Sequence, residues 1–406
     1  MNIVMVMSVF GEDAIGGAER TASVLAVNLI KRGHQVSVVA LGPMGNRISK
    51  HIDKHQISIW HVPLVQRYDP YGLDGVKTPL PRSAAEKALW HFGDIYNRAM
   101  AKGVRQVFQE IKPDIVMTHT LQGFSVSVWA EAKRVGAKLV HMTHDHALIC
   151  PATAMTRGSK VCEKVCAQCA VYGKLRHVLA TSPDAVVGPS QIILKRHLRF
   201  GWFNDVEIMR AIPNALPEDW PSVAAPMVTQ KPIVFGFLGR LDESKGIDTL
   251  LEALVHLPQG AFKVKIAGQG DAVLAKQRWL SPSVQQKSVE FVGLVHAADF
   301  LNQIDVLITP SRAHETFCNV VMEAGCLGRP SIVSDSGALP ERVAQGANGW
   351  IFPAGDAMKL ALAMQYCIEH PDQVLVKGHA ALQARSTYDV QQQCTSFESL
   401  CKELVA

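Results

Sequence analysis

Arg240 and Lys245 follow the apolar run Ile233-Val-Phe-Gly-Phe-Leu-Gly239, and Gly246 closes the stretch. A guanidinium forks onto two phosphate oxygens and an ammonium adds a compact charge, so the pair suits a diphosphate. Taken alone, it reads equally well as two solvated surface cations. Further on, Thr309-Pro-Ser-Arg-Ala-His-Glu315-Thr-Phe-Cys-Asn-Val-Val-Met-Glu323-Ala-Gly325 places two carboxylates eight residues apart (323 minus 315). A helix is expected to begin between them, with the amides of 316–319 offered as donors to hydroxyls or phosphate oxygens. A carboxylate accepts two hydroxyls at once, which fits a ribose diol. A bland reading makes Glu315 a helix-start charge and Glu323 part of a solvated face. Glu323, however, sits between Val320-Val-Met and Ala324-Gly-Cys-Leu, where a bare charge is costly, and that favours function.

Other candidates are weaker by themselves. Gly268 and Gly270, in Ile266-Ala-Gly-Gln-Gly-Asp, permit close backbone approach to a flat ligand such as a nucleobase, although glycines are also ordinary turn chemistry. Phe291-Val292-Gly293 closes the next strand and could flank the same base. His119 ends the run Met117-Thr-His, and His144 stands in Thr143-His-Asp-His; a lone histidine is ordinarily structural, and His144 reads equally as a group facing an acceptor. Cys150, Cys162, Cys166 and Cys169 fall within a 20-residue loop (150 to 169). Four thiolates can hold a structural zinc, and free buried cysteines are the alternative.

These residues must be positioned by strands. Short apolar runs alternate with amphipathic stretches, the pattern of parallel βαβ units. Strands are expected near 3–7, 35–40, 58–62, 114–118, 138–142 and 185–187, then 233–238, 262–267, 289–292, 305–309 and 331–334. Helices are expected at 19–32, at 389–405 and as one long element over 84–111, while 68–81, rich in Gly and Pro, reads as a loop excursion. Prolines 213, 217, 221, 226 and 232 forbid regular structure and mark a linker. The fold class is therefore α/β with two Rossmann-like, doubly wound lobes: 1–213, 214–388, and a last helix 389–406 whose lobe the sequence does not assign. In such sheets ligands sit beyond the carboxyl ends of strands, which is where the candidates fall.

At 406 residues with 48% hydrophobic and 19% charged, the chain has ample core for two domains. A net charge of +5 suits anionic ligands and lacks the dense basic runs of a nucleic-acid binder, so no nucleic acid is expected. The N-terminus does not read as a signal peptide, no apolar run is long enough to span a bilayer, and nine cysteines suit a reducing compartment; a cytoplasmic location is expected. Residues 191–203 mix cations with aromatics and can lie on an anionic leaflet, or form an ordinary helix of the first lobe. A nicotinamide-dependent oxidoreductase is disfavoured because Gly11, Gly16 and Gly17 lack the Gly-x-Gly-x-x-Gly spacing.

Together, Gly239-Arg240, Lys245-Gly246, the Glu-x7-Glu element at 315–323 and Ser334-Asp-Ser-Gly-Ala-Leu-Pro-Glu341 resemble the family 4 retaining glycosyltransferases, with their GT-B fold of two domains facing a cleft. The match covers about 233–355; Gly16-Gly17 and Gly188-Pro-Ser190 agree more loosely. The resemblance implies a nucleotide diphosphate sugar donor of hexose type. Arg240 and Lys245 would neutralise the departing diphosphate, Glu323 would hold the ribose, and Glu315 with Thr316, Phe317, Cys318, Asn319 and Val320 would line the donor. Gly239, Gly268 and Val292 would border the nucleotide. His119 would stand beside the sugar, and Gly16 and Gly17 beside donor phosphate and acceptor. It further implies a glycan or lipid-linked acceptor at the cytoplasmic membrane face, surface polysaccharide or glycolipid synthesis, and no cofactor for catalysis. A soluble sugar-phosphate acceptor, or a non-catalytic sugar-nucleotide-binding protein, are the other readings. Cys318 departs from the family, which commonly has Gly after the aromatic of this element, so a different donor sugar is expected there.

Overall fold

The computed structural model describes residues 1–11, 16–66, 73, 83–157, 160–223, 232–284 and 288–406. The chain divides into two compact units: Met1–Ala154 with Glu163–Ala215 and Val390–Ala406, and Met155–Cys162 with Leu216–Asp389.

The first unit is built on an eight-stranded sheet. Across it run Ile208–Ala211, Ala185–Gly188, Lys138–Met142, Ile115–Thr118, Asn2–Val6, Gln35–Gly42, Ser58–Pro63 and Ser49–Ile52. All pair in parallel except Ser49–Ile52, which runs antiparallel to Ser58–Pro63. The strand order reverses between Asn2–Val6 and Ile115–Thr118, so the ligand crevice of this sheet lies beyond those two strand ends. The second unit has six parallel strands: Val289–Gly293, Phe262–Ala267, Ile233–Leu238, Val306–Thr309, Ser331–Ser334 and Gly349–Phe352. Its reversal falls between Ile233–Leu238 and Val306–Thr309. The expected α/β class with two doubly wound sheets is what the chain adopts.

A repeated device sets the register. Asp114, Asp184 and Asp305 each stand just before a strand, and each carboxylate accepts an amide of the neighbouring strand: Asn2 at 2.7 Å, Leu139 at 2.7 Å and Val234 at 2.8 Å. This is why the strand at 305 begins one residue later than expected.

The last helix, Val390–Val405, belongs to the first unit: Cys394, Phe397, Leu400, Cys401 and Leu404 share a core with Ile3, Met5 and Leu25. Glu398 on its outer side pairs with Arg32 at 2.9 Å and His34 at 3.0 Å.

One expectation is corrected. The single long helix over 84–111 is two helices, Ala84–Gly93 and Arg98–Ile111. Asp94 ends the first because its buried carboxylate takes the Arg176 guanidinium at 3.1 Å and the Gly123 amide at 2.8 Å. Asn97 starts the second by accepting the Met100 amide at 3.1 Å. In the stretch 191–203, read either as leaflet-facing or as an ordinary helix, the helix Gln191–Arg199 buries Ile193, Leu194 and His197, Trp202 and Phe203 are core, and Phe200 is half-buried. The expected excursion at 68–81 lies outside the described residues apart from Leu73. Among the described residues no helix is long and apolar enough to cross a membrane.

Candidate donor site and its relatives

In the second unit the two strands at the order reversal deliver the candidates. After Ile233–Leu238 come Gly239 and Arg240, then the short turn Glu243–Lys245, whose amides at Ser244 and Lys245 are capped by the Asp242 carboxylate. Gly246 follows with φ +74°, and a Cβ there would lie 1.9 Å from the Pro310 carbonyl oxygen, so only glycine lets the turn rest on the neighbouring strand end. This close approach brings Lys245 onto the segment after Val306–Thr309. The Lys245 ammonium donates to Glu315 Oε1 at 2.7 Å, and the Ser311 hydroxyl donates to the same oxygen at 2.7 Å. Burial opposes charge on both partners, but their attraction prevails: Lys245 is held above its ordinary value, and Glu315 below its own with help from Ser311 and Arg240. Both are therefore charged at neutral pH. Arg240 is mostly exposed, loosely tethered to Asp242 at 3.4 Å.

Below Glu315 the chain is braced. Ala338 donates its amide to the Glu315 carbonyl at 2.8 Å, and the Ser336 hydroxyl reaches the carbonyls of Arg312 at 3.1 Å and Ala313 at 2.8 Å. The helix expected between the carboxylates begins at Asn319, so Thr316, Phe317 and Cys318 form a loop. Phe317 buries its ring against Arg342, 4.2 Å from ring centroid to guanidinium, so what it offers a ligand is its main chain. Cys318 adopts φ +71° although it is not glycine, and burial, then Glu315, push its thiol up to about 12. Glu323 is buried on the helix Asn319–Gly325, as its apolar neighbours in sequence suggested.

Gly268 has a packing reason of its own: at φ +136° a Cβ would lie 1.8 Å from the Gly239 carbonyl oxygen. The loop ends are laced together by Gly239 N–H to Ala267 at 3.0 Å and Gly268 N–H to Gly293 at 2.8 Å, with Val292 just before. Ser311, Ser336 and Gly337 were not singled out by sequence as site residues. Ser336 and Gly337 fell within the Ser334–Glu341 match without a role assigned to them, and Ser311 was only a serine near a strand end.

In the first unit, His119 leaves the end of Ile115–Thr118, its amide bonded to the Val6 carbonyl at 2.9 Å, and its Nδ1 meets His144 Nε2 at 2.9 Å. The other nitrogen of His119, Nε2, is buried without a hydrogen-bond partner among the described residues. Gly16 caps the helix Gly17–Lys31, and a Cβ on it would strike the Glu19 carboxylate. Burial, then the neighbouring histidines His144 and His141, hold His119 well below the ordinary value, and burial takes His144 down to about 4. Unfolded histidines take a proton near 6.5 while these do not, so their stabilising effect is complete above 6.5 and lost as pH falls toward about 4. The melting temperature is expected to drop between pH 6.5 and 5. Replacing His144 by Gln should flatten that slope by about one proton, roughly 1.4 kcal/mol per pH unit. An unchanged slope in the variant counts against a neutral buried His144.

Cys169 meets both Cys150 and Cys166 by thiol contacts, which with burial raise its thiol. Among the described residues, no group of three or more His, Cys, Asp or Glu side chains is placed to hold a metal ion.

Residues 16–215 match the family model described as glycosyl transferase 4-like domain, and residues 232–370 that of glycosyl transferases group 1. A Klebsiella pneumoniae protein described as an uncharacterized 42.6 kDa protein in the cps region is 30% identical over 342 residues, 84% of this chain and 87% of its own. The chain is a group 1, family 4-type glycosyltransferase. An Erwinia amylovora amylovoran biosynthesis glycosyltransferase, AmsK, is 29% identical over 30% of the enzyme and 33% of its own length. Among solved structures, sucrose-phosphate synthase from Thermosynechococcus elongatus superposes with TM-score 0.75 at 18% identity, covering 100% of the enzyme and 99% of that chain. HepE from Anabaena in complex with UDP-glucose gives 0.69 at 18% identity, covering 99% and 100%. The enzyme's fold is GT-B.

Proposed function

We propose that this glycosyltransferase retains configuration and moves a hexose from a nucleoside diphosphate sugar to a hydroxyl of a surface glycan or its lipid-linked precursor, at the cytoplasmic membrane face. The observation that carries the reading is the contact of Lys245 and Ser311 with one oxygen of Glu315 at the strand-order reversal, with Arg240 beside it. A charged lysine held by a charged glutamate is a fixed dipole, already oriented before any ligand binds, and preorganised charge is the largest single source of rate in such reactions. The relatives named for the cps region and for amylovoran biosynthesis support a polysaccharide role, and the neighbour bound to UDP-glucose supports a nucleotide sugar donor.

In this reading Glu323 takes the ribose hydroxyls and Glu315 with the main chain of 316–320 orients the hexose. The bond from the anomeric carbon to the diphosphate oxygen breaks while the acceptor oxygen bonds on the same face. The acceptor's proton passes to the departing phosphate oxygen, whose growing charge Arg240 and Lys245 offset. No metal enters the transfer, and zinc at the cysteine loop is no part of it. Screening nucleotide sugars by thermal shift, then reading product anomeric configuration by NMR, tests the proposal. One donor is expected to stabilise the enzyme by about 2.7 kcal/mol at a hundredfold excess over its Kd. A product of inverted configuration overturns retention, and a donor that binds without turnover points to a non-catalytic binding protein.

A further inference from the structure

We infer that the first unit docks on an anionic bilayer through the outer side of the helix Ala167–Leu179. This deepens the membrane part of the reading above and rests on it for the presence of a bilayer nearby. Val171, Leu175, Val178 and Leu179 all face water, Val171 and Val178 at 61% and 72% exposure. At 100° per residue the four fall in an arc about 100° wide. The inward side of the same helix buries Cys169, Tyr172 and Arg176, so the exposed arc is not the core stripe misplaced. Single exposed apolar residues are ordinary; four gathered on one helix side mark a surface that meets something apolar. The helix Ala84–Gly93, joined to this one by the His91–Tyr172 edge contact at 6.3 Å, also leaves Leu89 and Phe92 exposed.

Charge selects the partner. Neither Ala167–Leu179 nor Gln191–Arg199 contains an Asp or Glu. Beside the arc is an open, largely apolar cavity of about 370 Å³, lined by Ile149, Val165, Phe200 and Trp202, with Lys174 at its border. The Phe200 ring has the guanidinium groups of Arg196 and Arg199 at 5.7 and 5.9 Å. Lys195 is exposed on the same helix. Lys174, Lys195, Arg196 and Arg199 outnumber the two exposed carboxylates of the neighbouring segments, Glu86 on Ala84–Gly93 and Glu163 before Val165. An apolar arc and recess with that excess of cations matches acyl chains beneath acidic headgroups. A second copy of this chain is a poor occupant, because a two-fold contact would set the same cations against each other. The stretch 191–203 thus contributes cations to the surface, while its buried Trp202 and Phe203 support it from behind.

Flotation of the full chain with vesicles of phosphatidylglycerol or of phosphatidylcholine tests the inference. The protein is expected to float with phosphatidylglycerol vesicles and to stay at the bottom with phosphatidylcholine. Val171→Glu with Val178→Glu, and separately Lys195→Glu with Arg199→Glu, should each lower the bound fraction by about tenfold or more. All four positions are exposed, and an unchanged melting temperature verifies that the variants fold. Wild-type protein left at the bottom with anionic vesicles, or variants that float as well as wild type, overturns the docking. So does loss of self-association in the Val171→Glu, Val178→Glu variant with no vesicle binding by wild type, which would make the arc an interface between copies. Donor turnover measured without vesicles keeps the two proposals apart: it is expected to be unchanged in these variants whether or not the docking holds.

Discussion

Replacing Lys245 by alanine is expected to lower turnover by about 10²–10³-fold, the scale on which removing one preorganised charge partner acts. The ammonium is the cation held on Glu315, at 2.7 Å, and it is fixed there before any ligand arrives, whereas Arg240 is exposed and must be gathered in. In the proposed mechanism, losing it removes one of two charges that offset a departing diphosphate, and it frees Glu315 to change its orientation. The carboxylate would keep the Ser311 hydroxyl but lose the attraction that holds its pKa down. A glutamate with a depressed pKa stabilises the fold above its ordinary value near 4.5, and that contribution is lost as pH falls through its folded value. The variant should therefore show a weaker loss of stability as pH falls below about 4.5 than wild type, alongside its kinetic defect. Lys245→Arg keeps the charge but not the point geometry, and partial activity is expected. Steady-state turnover with the donor found by thermal shift is the measurement. Near-normal turnover in Lys245→Ala removes Lys245 from the mechanism.

What sequence made legible, and what it did not, follows the range of the interactions. The strands at both reversals were readable because a strand buried on both faces is an uninterrupted apolar run, as in Ile233–Leu238. The edge strands Ser49–Ile52, Ile208–Ala211 and Gly349–Phe352 were not, although the edge strand Val289–Gly293 was: all four residues of Ser49–Ile52 are exposed, so there is no buried run to read. Arg240, Lys245, Glu315 and Glu323 stood out by residue type near strand ends. Ser311 did not, because its meaning comes from the oxygen it shares with Lys245, which is 66 residues away (311 minus 245). The break at 94–97 was hidden for a similar reason, since Asp94 is fixed by Arg176 from a distant helix. That pair also disguised the Ala167–Leu179 helix, where a fully buried arginine and exposed valines reverse the usual polarity of faces. Gly268 was read for its freedom toward a ligand, while the neighbouring carbonyl already demands it.

Gly337→Ala is the second change expected to have a large effect, and it acts without touching a charge. Gly337 has φ +58°, and a Cβ on it would lie 2.3 Å from the Glu315 carbonyl oxygen and 2.5 Å from the Glu315 amide nitrogen. Both are backbone atoms, so no rotamer change relieves the overlap; the 336–338 segment and the Glu315 backbone must separate. That breaks the Ala338 amide bond to Glu315, now 2.8 Å, and carries the carboxylate away from Lys245 and Ser311. Overpacking with left-handed strain is expected to cost about 2–3 kcal/mol of stability. A displacement on the order of 1 Å at a positioning group costs about 10²-fold in rate. Gly136→Ala supplies the comparison: φ is +80° but nothing lies within 4 Å of the added carbon, so it tests backbone strain alone, with a loss of about 1 kcal/mol and full turnover expected. Thermal unfolding and steady-state kinetics on the two variants separate the effects. If Gly337→Ala loses stability yet retains wild-type turnover, the position of Glu315 is not set by this loop, and the preorganised Lys245–Glu315 dipole loses its structural basis.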